Sequence, residues 1–457
     1  MKIILSHGYF IEEDEKEKLI MRPYAPLGIQ YISAYLEEKG FDNTIIDNTF
    51  SALPHFKNKL LQERPDVIAL YINLMTKINI LNIISFIKSS CVLKNTIIIL
   101  GGPEARHHSA NFLLYGADYV VTGEGEESIL ELLRALKNNT PVKGIQGISY
   151  KTTGNDIVHE DDRGLIKNIN ELPFPNRKKI DYTPYLQTWK KHHGYSMMSV
   201  STMRGCPYSC KWCSRAVYGG TYRRRSPRLV MEEMKMLKEV YNPDMIWFVD
   251  DVFTIHHGWL NEFANEVITN DAVIPYEIIS RADRLNEDVL KTLKRSGCFR
   301  IWIGAESGSQ KIIDAMDRRV DVMKTREMIK LAKKTGIKAG TFIMLGYPGE
   351  TKQDIRETIE HLIESNPDEY TLTVAYPIKG TKLYQEVEDK FIAPYQFELN
   401  TDRDIDFTRT HPKKYYEHAR KWLHYEVYAG TNKLTPLKKS WLKIKALKSE
   451  FDMWLAQ

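Results

Sequence analysis

The sequence predicts an α/β protein of two consecutive parallel-strand units, an open doubly wound sheet followed by a partial (β/α)6 barrel of TIM type, with a helical extension behind them. Three observations predict it. Residues 1–140 alternate short apolar runs with amphipathic stretches (KIIL, LGIQYISAYLEEKG, NTIID, DVIALYI, ILNIISFIKSS, NTIIIL, DYVV), so strand and helix periods succeed each other. A second series between residues 196 and 385 has six strand-like members, MMSVST, MIWFVDD, YEIISRA, FRIWIGAES, KAGTFIMLG and EYTLTVAYP, fewer than a closed eightfold barrel needs. Residues 386–457 carry Trp422, Trp441, Trp454 and several tyrosines and read as helices.

At 457 residues the chain exceeds what one hydrophobic core organises, which agrees with two domains. Gly40 stands where the first long helix needs a C-terminal cap. Residues 141–195, punctuated by Pro141, Gly144, Gly147, Gly154, Pro173 and Pro175, read as a linker. In open parallel sheets ligands lie beyond the carboxyl ends of the strands. In the first unit those ends carry Gly101, Gly102 and Pro103, then Gly123, Glu124, Gly125 and Glu126.

In the tail, KLTPLKKSWLKIKALKSEF is basic and partly amphipathic. It could dock a membrane or a greasy substrate. A solvated helix packed on the barrel is the preferred reading, because Pro436 interrupts the segment. Tyr415, Tyr416, Trp422, Tyr425 and Tyr428 are read as packing for the last helices, with a cap over the barrel mouth as the alternative.

A net charge of +5, spread along the chain, gives no footprint for nucleic acid. The first residues are too short in apolar length for a signal peptide and turn acidic, so a cytoplasmic protein is expected. The most apolar stretch, residues 78–100, is broken by Asn82, Lys88, Lys94 and Asn95, so no transmembrane segment is expected.

Of five cysteines, three form C-x3-C-x2-C in RGCPYSCKWCS, directly after the first barrel strand. Thiols clustered in this way point to metal or redox chemistry. Cys206, Cys210 and Cys213 on one tight loop can each bind one iron of a cubane cluster and leave the fourth iron open, as a catalytic metal requires. The competing reading is zinc with His192 or His193 as fourth ligand, but zinc motifs usually come as two pairs and no second pair exists. Cys91 and Cys298 are read as small buried residues.

With Trp212 before its last cysteine, the motif closely resembles that of the radical S-adenosylmethionine (SAM) superfamily. The strand ends FVDDVFT, SRADRLNEDVL, GAESGSQ and LGYPGET resemble their counterparts there. The resemblance implies that Cys206, Cys210 and Cys213 hold a 4Fe-4S cluster that cleaves SAM to a 5′-deoxyadenosyl radical. It implies SAM contacts at Tyr208, Trp212, Asp250, Asp251, Arg281, Glu306, Ser307 and Gly346, with Gly340 letting the backbone approach adenine. It also implies an electron donor such as flavodoxin or ferredoxin.

The first unit resembles the Rossmann-like (flavodoxin-like) cobalamin-binding domain that precedes many such enzymes, through PLGIQYISAYLEEKGF, LGG and VVTGEGEES. Proteins that ligate cobalt through histidine carry D-x-H-x-x-G; with Gly28 as the motif glycine, Pro23 stands at the Asp position and Ala25 at the His position. Cobalamin without an axial histidine is therefore expected, with contacts at Pro26, Leu27, Gly28, Tyr71, Asn73, Thr76, Gly101, Gly102, Gly123, Glu124, Gly125 and Glu126. The implied activity is cobalamin-dependent methylation of an unactivated carbon, or phosphorus, of a small-molecule substrate. A ring-forming radical oxidation like the anaerobic magnesium-protoporphyrin monomethyl ester cyclase is the alternative, and a non-catalytic cobalamin-binding protein a further one. A methylthiotransferase would need three more upstream cysteines, where only Cys91 stands.

Overall fold

The structure, a computed structural model, describes residues 1–432 and 434–456. Strands β1 (Ile3–His7), β2 (Thr44–Ile46), β3 (Val67–Tyr71), β4 (Ile97–Gly101) and β5 (Tyr119–Val121) pair in parallel in the order β2-β1-β3-β4-β5. The period of two in each run feeds two cores. Ile3, Leu5, Val67 and Ile99 face one layer, and Ile4, Ile68, Leu70 and Ile98 the other. After the short α1 (Glu15–Ile20), α2 (Leu27–Glu38), α3 (Leu53–Glu63), α4 (Lys77–Ser89), α5 (Ala105–Tyr115) and α6 (Gly125–Asn138) clothe the two faces. Gly40, at φ 82°, ends α2 as expected, and the amide of Phe41 returns to the Leu36 carbonyl at 2.9 Å.

Residues 141–195 do more than connect. Strands β6 (Ile148–Lys151) and β7 (Ile157–His159) extend the sheet antiparallel to seven strands, and α7 (Thr183–His193) straps the two units together. Arg177 donates to the Ser199 carbonyl at 2.7 Å and pairs with Glu233 at 2.6 Å, both in the barrel. Tyr182 donates to Gln30 at 2.8 Å and Tyr185 to Asp47 at 2.7 Å, both in the first unit. Residues without strand or helix period concealed this role, because isolated aromatic and arginine anchors carry it.

The second sheet is parallel throughout, in the order β8 (Met197–Val200), β11, β12, β13, β14, β15, a six-stranded partial barrel. Between β8 and the next barrel strand, β9 (Met203–Arg204) and β10 (Arg223–Arg224) form a short antiparallel ribbon around the cysteine loop. The remaining strands are β11 (Met245–Phe248), β12 (Tyr276–Ser280), β13 (Cys298–Glu306), β14 (Lys338–Leu345) and β15 (Glu369–Val374). Helices α8 (Pro227–Val240), α9 (His257–Thr269), α10 (Glu287–Arg295), α11 (Gln310–Ala315), α12 (Val322–Lys334) and α13 (Lys352–Ser365) cover its outside, and α14 (Lys382–Val387) follows β15. Cys298 is buried as expected, whereas Cys91 is exposed in the turn beyond α4, where no core reaches it.

Two long helices end the chain, α15 (Lys413–Thr431) and α16 (Pro436–Leu455). Tyr415, Tyr416 and Trp422 are buried against α13 and β14 and Tyr425 is half-buried beside them, as packing requires, whereas Tyr428 is exposed. Pro436 does not interrupt α16. It occupies the first turn, where its missing N–H is no loss, behind the cap Thr435, whose hydroxyl accepts from the Lys438 amide at 3.4 Å. The stretch before α15 reaches back to the first unit, where Lys77 donates to Tyr395 at 2.5 Å and to the Asn400 carbonyl at 2.7 Å. No helix among the described residues is long and apolar enough to cross a membrane.

Candidate active site

The carboxyl ends of both sheets face one mostly apolar cavity of about 320 Å3. From the first unit it is lined by Leu27, Gly28, Tyr71, Gly101, Gly102, Gly123, Glu124, Gly125 and Glu126. Leu5 of β1, Ile32 of α2 and Ile129 of α6 line it as well. From the barrel side come residues 201–205, Val217, Tyr218 and Asp251.

Bare backbone forms part of the wall. A Cβ on Gly28 would meet nothing within 4 Å, and one on Gly123 would come no closer than 3.9 Å to its neighbour, so bare backbone borders open space at both. Gly102 serves the turn instead. At φ 122° its Cβ would lie 2.4 Å from the Ile72 carbonyl oxygen.

Three expected contacts stand back from this wall. Pro26 caps the start of α2. Asn73 and Thr76 knit the loop after β3: the Asn73 side chain accepts from the amides of Met75 and Thr76 at 2.9 and 3.0 Å, and the Thr76 hydroxyl accepts from the Asn73 amide at 2.9 Å.

Glu124 and Glu126 reach the cavity but spend their carboxylates on the barrel. Arg204 forks between them, at 2.8 Å to Glu124 and 2.5 Å to Glu126, and Arg223 meets Glu124 at 2.6 Å. All three members of the fork are buried. Burial opposes the charge of Arg204, yet the two glutamates hold its pKa well above the ordinary value. The turn that borders the cavity thus grips the residue two places before Cys206.

The cysteine loop is held from the next strand. Asp250, at the end of β11, is fully buried and accepts from the amides of Thr202 and Met203 at 2.7 and 3.1 Å, from the Thr202 hydroxyl, and from Arg224 at 3.4 Å. Those partners occupy both oxygens, so Asp250 anchors the loop and does not face a ligand. Asp251 takes the outward place, with its carboxyl raised by desolvation and by the charge of Asp250.

Cys206 and Cys210 are buried, and Cys213 is exposed. Desolvation, then the charge of Asp251, pushes the Cys213 thiol up to about 12. Burial also raises Cys206. Three thiols on one loop, two of them with ionisation opposed by desolvation, suit ligation by a cation that stabilises thiolates.

Two guanidinium groups close on Cys210. Arg281 and Arg318 each place Nη1 3.8 Å from its sulfur. Arg281 also pairs with Asp283 at 2.9 Å, donates to the Arg318 carbonyl at 2.8 Å and lies 3.8 Å over the ring of Tyr208. The Tyr208 hydroxyl accepts from Arg284 at 2.5 Å. Trp212 packs under Arg318, whose guanidinium lies 5.7 Å from the indole ring.

Glu306 ends β13 in the left-handed region, φ 64°, at a register shift between Gly304 and Glu306. A bulge there turns its carboxylate inward to Arg318 at 3.5 Å, and a non-glycine residue held at positive φ is a strained position of the kind found at functional sites. Burial raises its carboxyl, partly offset by Arg318 and Arg281.

Ser307 and Gly346, by contrast, serve packing. The Ser307 hydroxyl lies 3.2 Å from that of Thr358 and accepts from the Ser309 amide at 3.1 Å. Gly346 leaves room for Tyr416, and Gly340 for the ring of Trp302. Arg204, Arg223 and Arg318 escaped the sequence reading. Arg204 had a signal in its place beside the first cysteine; Arg318, in DRRV, had none.

Comparison with known proteins agrees with this arrangement. The Radical SAM superfamily profile matches residues 200–362 and the B12 binding domain profile residues 22–133. An uncharacterized methyltransferase of Pyrococcus horikoshii is 30% identical over 368 residues, 79% of this chain and 78% of that protein. The anaerobic magnesium-protoporphyrin IX monomethyl ester cyclase of Rubrivivax gelatinosus is 22% identical over 82% of this chain and 68% of that protein. Among solved structures, the radical SAM methyltransferase TsrM from Kitasatospora setae superposes with a TM-score of 0.73 at 14% identity, covering 98% of this chain and 99% of that one, and has the same fold.

The chain therefore belongs to the radical SAM superfamily. It is a cobalamin-dependent radical SAM enzyme with methyltransferase relatives.

Proposed function

We propose that the protein is a methyltransferase that uses SAM, a 4Fe-4S cluster on Cys206, Cys210 and Cys213, and cobalamin to methylate an unactivated carbon, or phosphorus, of a small molecule. The observation that carries this reading is the shared wall: residues 201–205 both border the cavity and lead directly into Cys206. Two reactive centres placed there would meet across one short stretch of chain. Held by these residues, the cluster would supply the electron for SAM cleavage and cobalamin would serve as the methyl carrier.

The chain's own part is placement and exclusion of water. Leu27, Gly28, Tyr71 and the turns at Gly101 and Gly123 would border the corrin, and the apolar residues Leu5, Ile32 and Ile129 line the same cavity. No histidine lines the cavity among the described residues, and Ala25 stands at the motif position, which supports binding without an axial imidazole. Arg281 and Arg318 lie where a carboxylate beside Cys210 would pair with them. Glu306 and Asp251 offer acceptors for an amino group or a ribose diol. Asp250, Ser307, Asn73 and Thr76 support these contacts by fixing loops.

The cyclase relatives support a second reading, radical ring formation with the same cofactors. The test is anaerobic reconstitution with iron, sulfide and hydroxocobalamin, followed by SAM and reductant. The proposal expects both 5′-deoxyadenosine and S-adenosylhomocysteine, the second only with cobalamin. Deoxyadenosine alone would favour ring formation, and neither product from a loaded cluster would refute both.

A further inference from the structure

We propose that α16 seats the protein on the surface of an anionic lipid bilayer. Its inner stripe, Leu442, Ala446, Ser449 and Met453, is buried and packs toward α15. The opposite face should then be polar, since water is its only neighbour. It is not. Leu437, Trp441, Ile444, Leu447, Phe451, Trp454 and Leu455 are between 52% and 85% exposed. At 100° per residue these seven fall within an arc of about 140°, centred opposite the packed stripe. Phe451 and Trp454 stack at 5.7 Å, so the strip is continuous at its C-terminal end.

The charges on the helix select the occupant. Lys438 and Lys445 run along one flank of the strip, Lys439 along the other beside Lys443, which pairs with Glu426 of α15, and Lys448 stands within it. The helix's two acidic residues turn toward the protein: Glu450 pairs with Lys352 at 2.8 Å and Arg356 at 3.3 Å, and Asp452 lies 3.8 Å from His418. Lys445 folds its ammonium over the ring of Trp441 at 3.6 Å, an arrangement that can extend to a headgroup. A second copy of the same face would bring the same lysines and no free carboxylate to meet them. An apolar strip flanked by lysines and tipped by tryptophans matches instead the boundary between acyl chains and negative headgroups. The helix lies on such a surface and does not cross it.

The test uses the full chain and sedimentation with vesicles of phosphatidylcholine, with or without phosphatidylglycerol. Binding is expected to the anionic vesicles and to weaken as salt is added. Each lysine near such a surface is worth about fivefold in partitioning, so K438Q/K439Q/K448Q is expected to lose about 100-fold. W441S/F451S is expected to abolish sedimentation while the far-ultraviolet circular dichroism and urea midpoint stay unchanged, because both side chains lie outside the core. Absence of wild-type binding to anionic vesicles, or binding indifferent to W441S/F451S, would overturn the proposal. So would a wild-type dimer, seen by light scattering, that W441S/F451S dissociates, since a second copy would then own the face.

Discussion

Arg204 offers the sharpest test of how the two units are locked together. Replacing it with Met keeps the length of the side chain and removes the fork. Breaking a buried ion pair by deleting one partner costs about 3–5 kcal/mol, because the other charge stays buried and uncompensated. Here the two glutamates differ. Glu124 keeps Arg223 at 2.6 Å and the Ile166 amide at 2.8 Å, whereas Glu126 has no other side-chain partner among the described residues. The loss is thus dominated by one carboxylate, and about 3 kcal/mol is expected for Arg204→Met. Neutralising the orphan should return most of it, so R204M/E126Q should recover about 2 kcal/mol relative to R204M, a coupling that only direct contact explains. Urea unfolding followed by circular dichroism measures both, with the slope checked for constancy. A cost below about 1 kcal/mol for R204M, or no recovery with E126Q, would refute the view that this fork closes the units.

Other outcomes follow from the same geometry. Gly102→Ala must fit a Cβ 2.4 Å from the Ile72 carbonyl oxygen at φ 122°, and should lower stability by about 3 kcal/mol in urea unfolding. Gly28→Ala meets nothing within 4 Å and sits in the first turn of α2, so it should leave the empty protein equally stable or up to about 1 kcal/mol more stable. Its added methyl enters the cavity, and hydroxocobalamin retention by absorbance should fall. His361 is buried with Arg326 beside it, and desolvation, then that charge, lowers its pKa to about 3 from the ordinary 6.5. The unfolded chain binds this proton first, so stability is fully present above pH 6.5 and is lost as pH falls toward 3, by at most about 1.4 kcal/mol per pH unit. Glu350, raised to about 8 by burial, works in the opposite sense as pH rises from its unfolded value to 8. The difference between H361Q and wild type across pH 4 to 6 isolates the histidine, and a flat difference would contradict its burial as a neutral ring.

What the sequence by itself determined is whatever depends on short range: the alternation that made eleven parallel strands, the cysteine spacing, and the glycines at the strand ends. These are periodic or local, and backbone geometry converts them directly into structure. Only the tertiary structure decided which polar groups at the barrel rim are free. Asp250 and Asp251 are neighbours in the same motif, yet one is consumed by the amides of residues 202 and 203 while the other faces open space. Partners for Glu124 and Glu126 came from Arg204, 80 and 78 residues away, and those for Cys210 from Arg281 and Arg318, 71 and 108 residues away. Residues 141–195 looked like a linker because their anchors are single side chains without a period. The basic helix at the end looked interrupted, but Pro436 begins it, and its apolar outer face became visible only once the inner stripe was seen to be occupied. Side-chain partners at long sequence separation are fixed by the three-dimensional meeting of elements, and no local pattern of residues encodes that meeting.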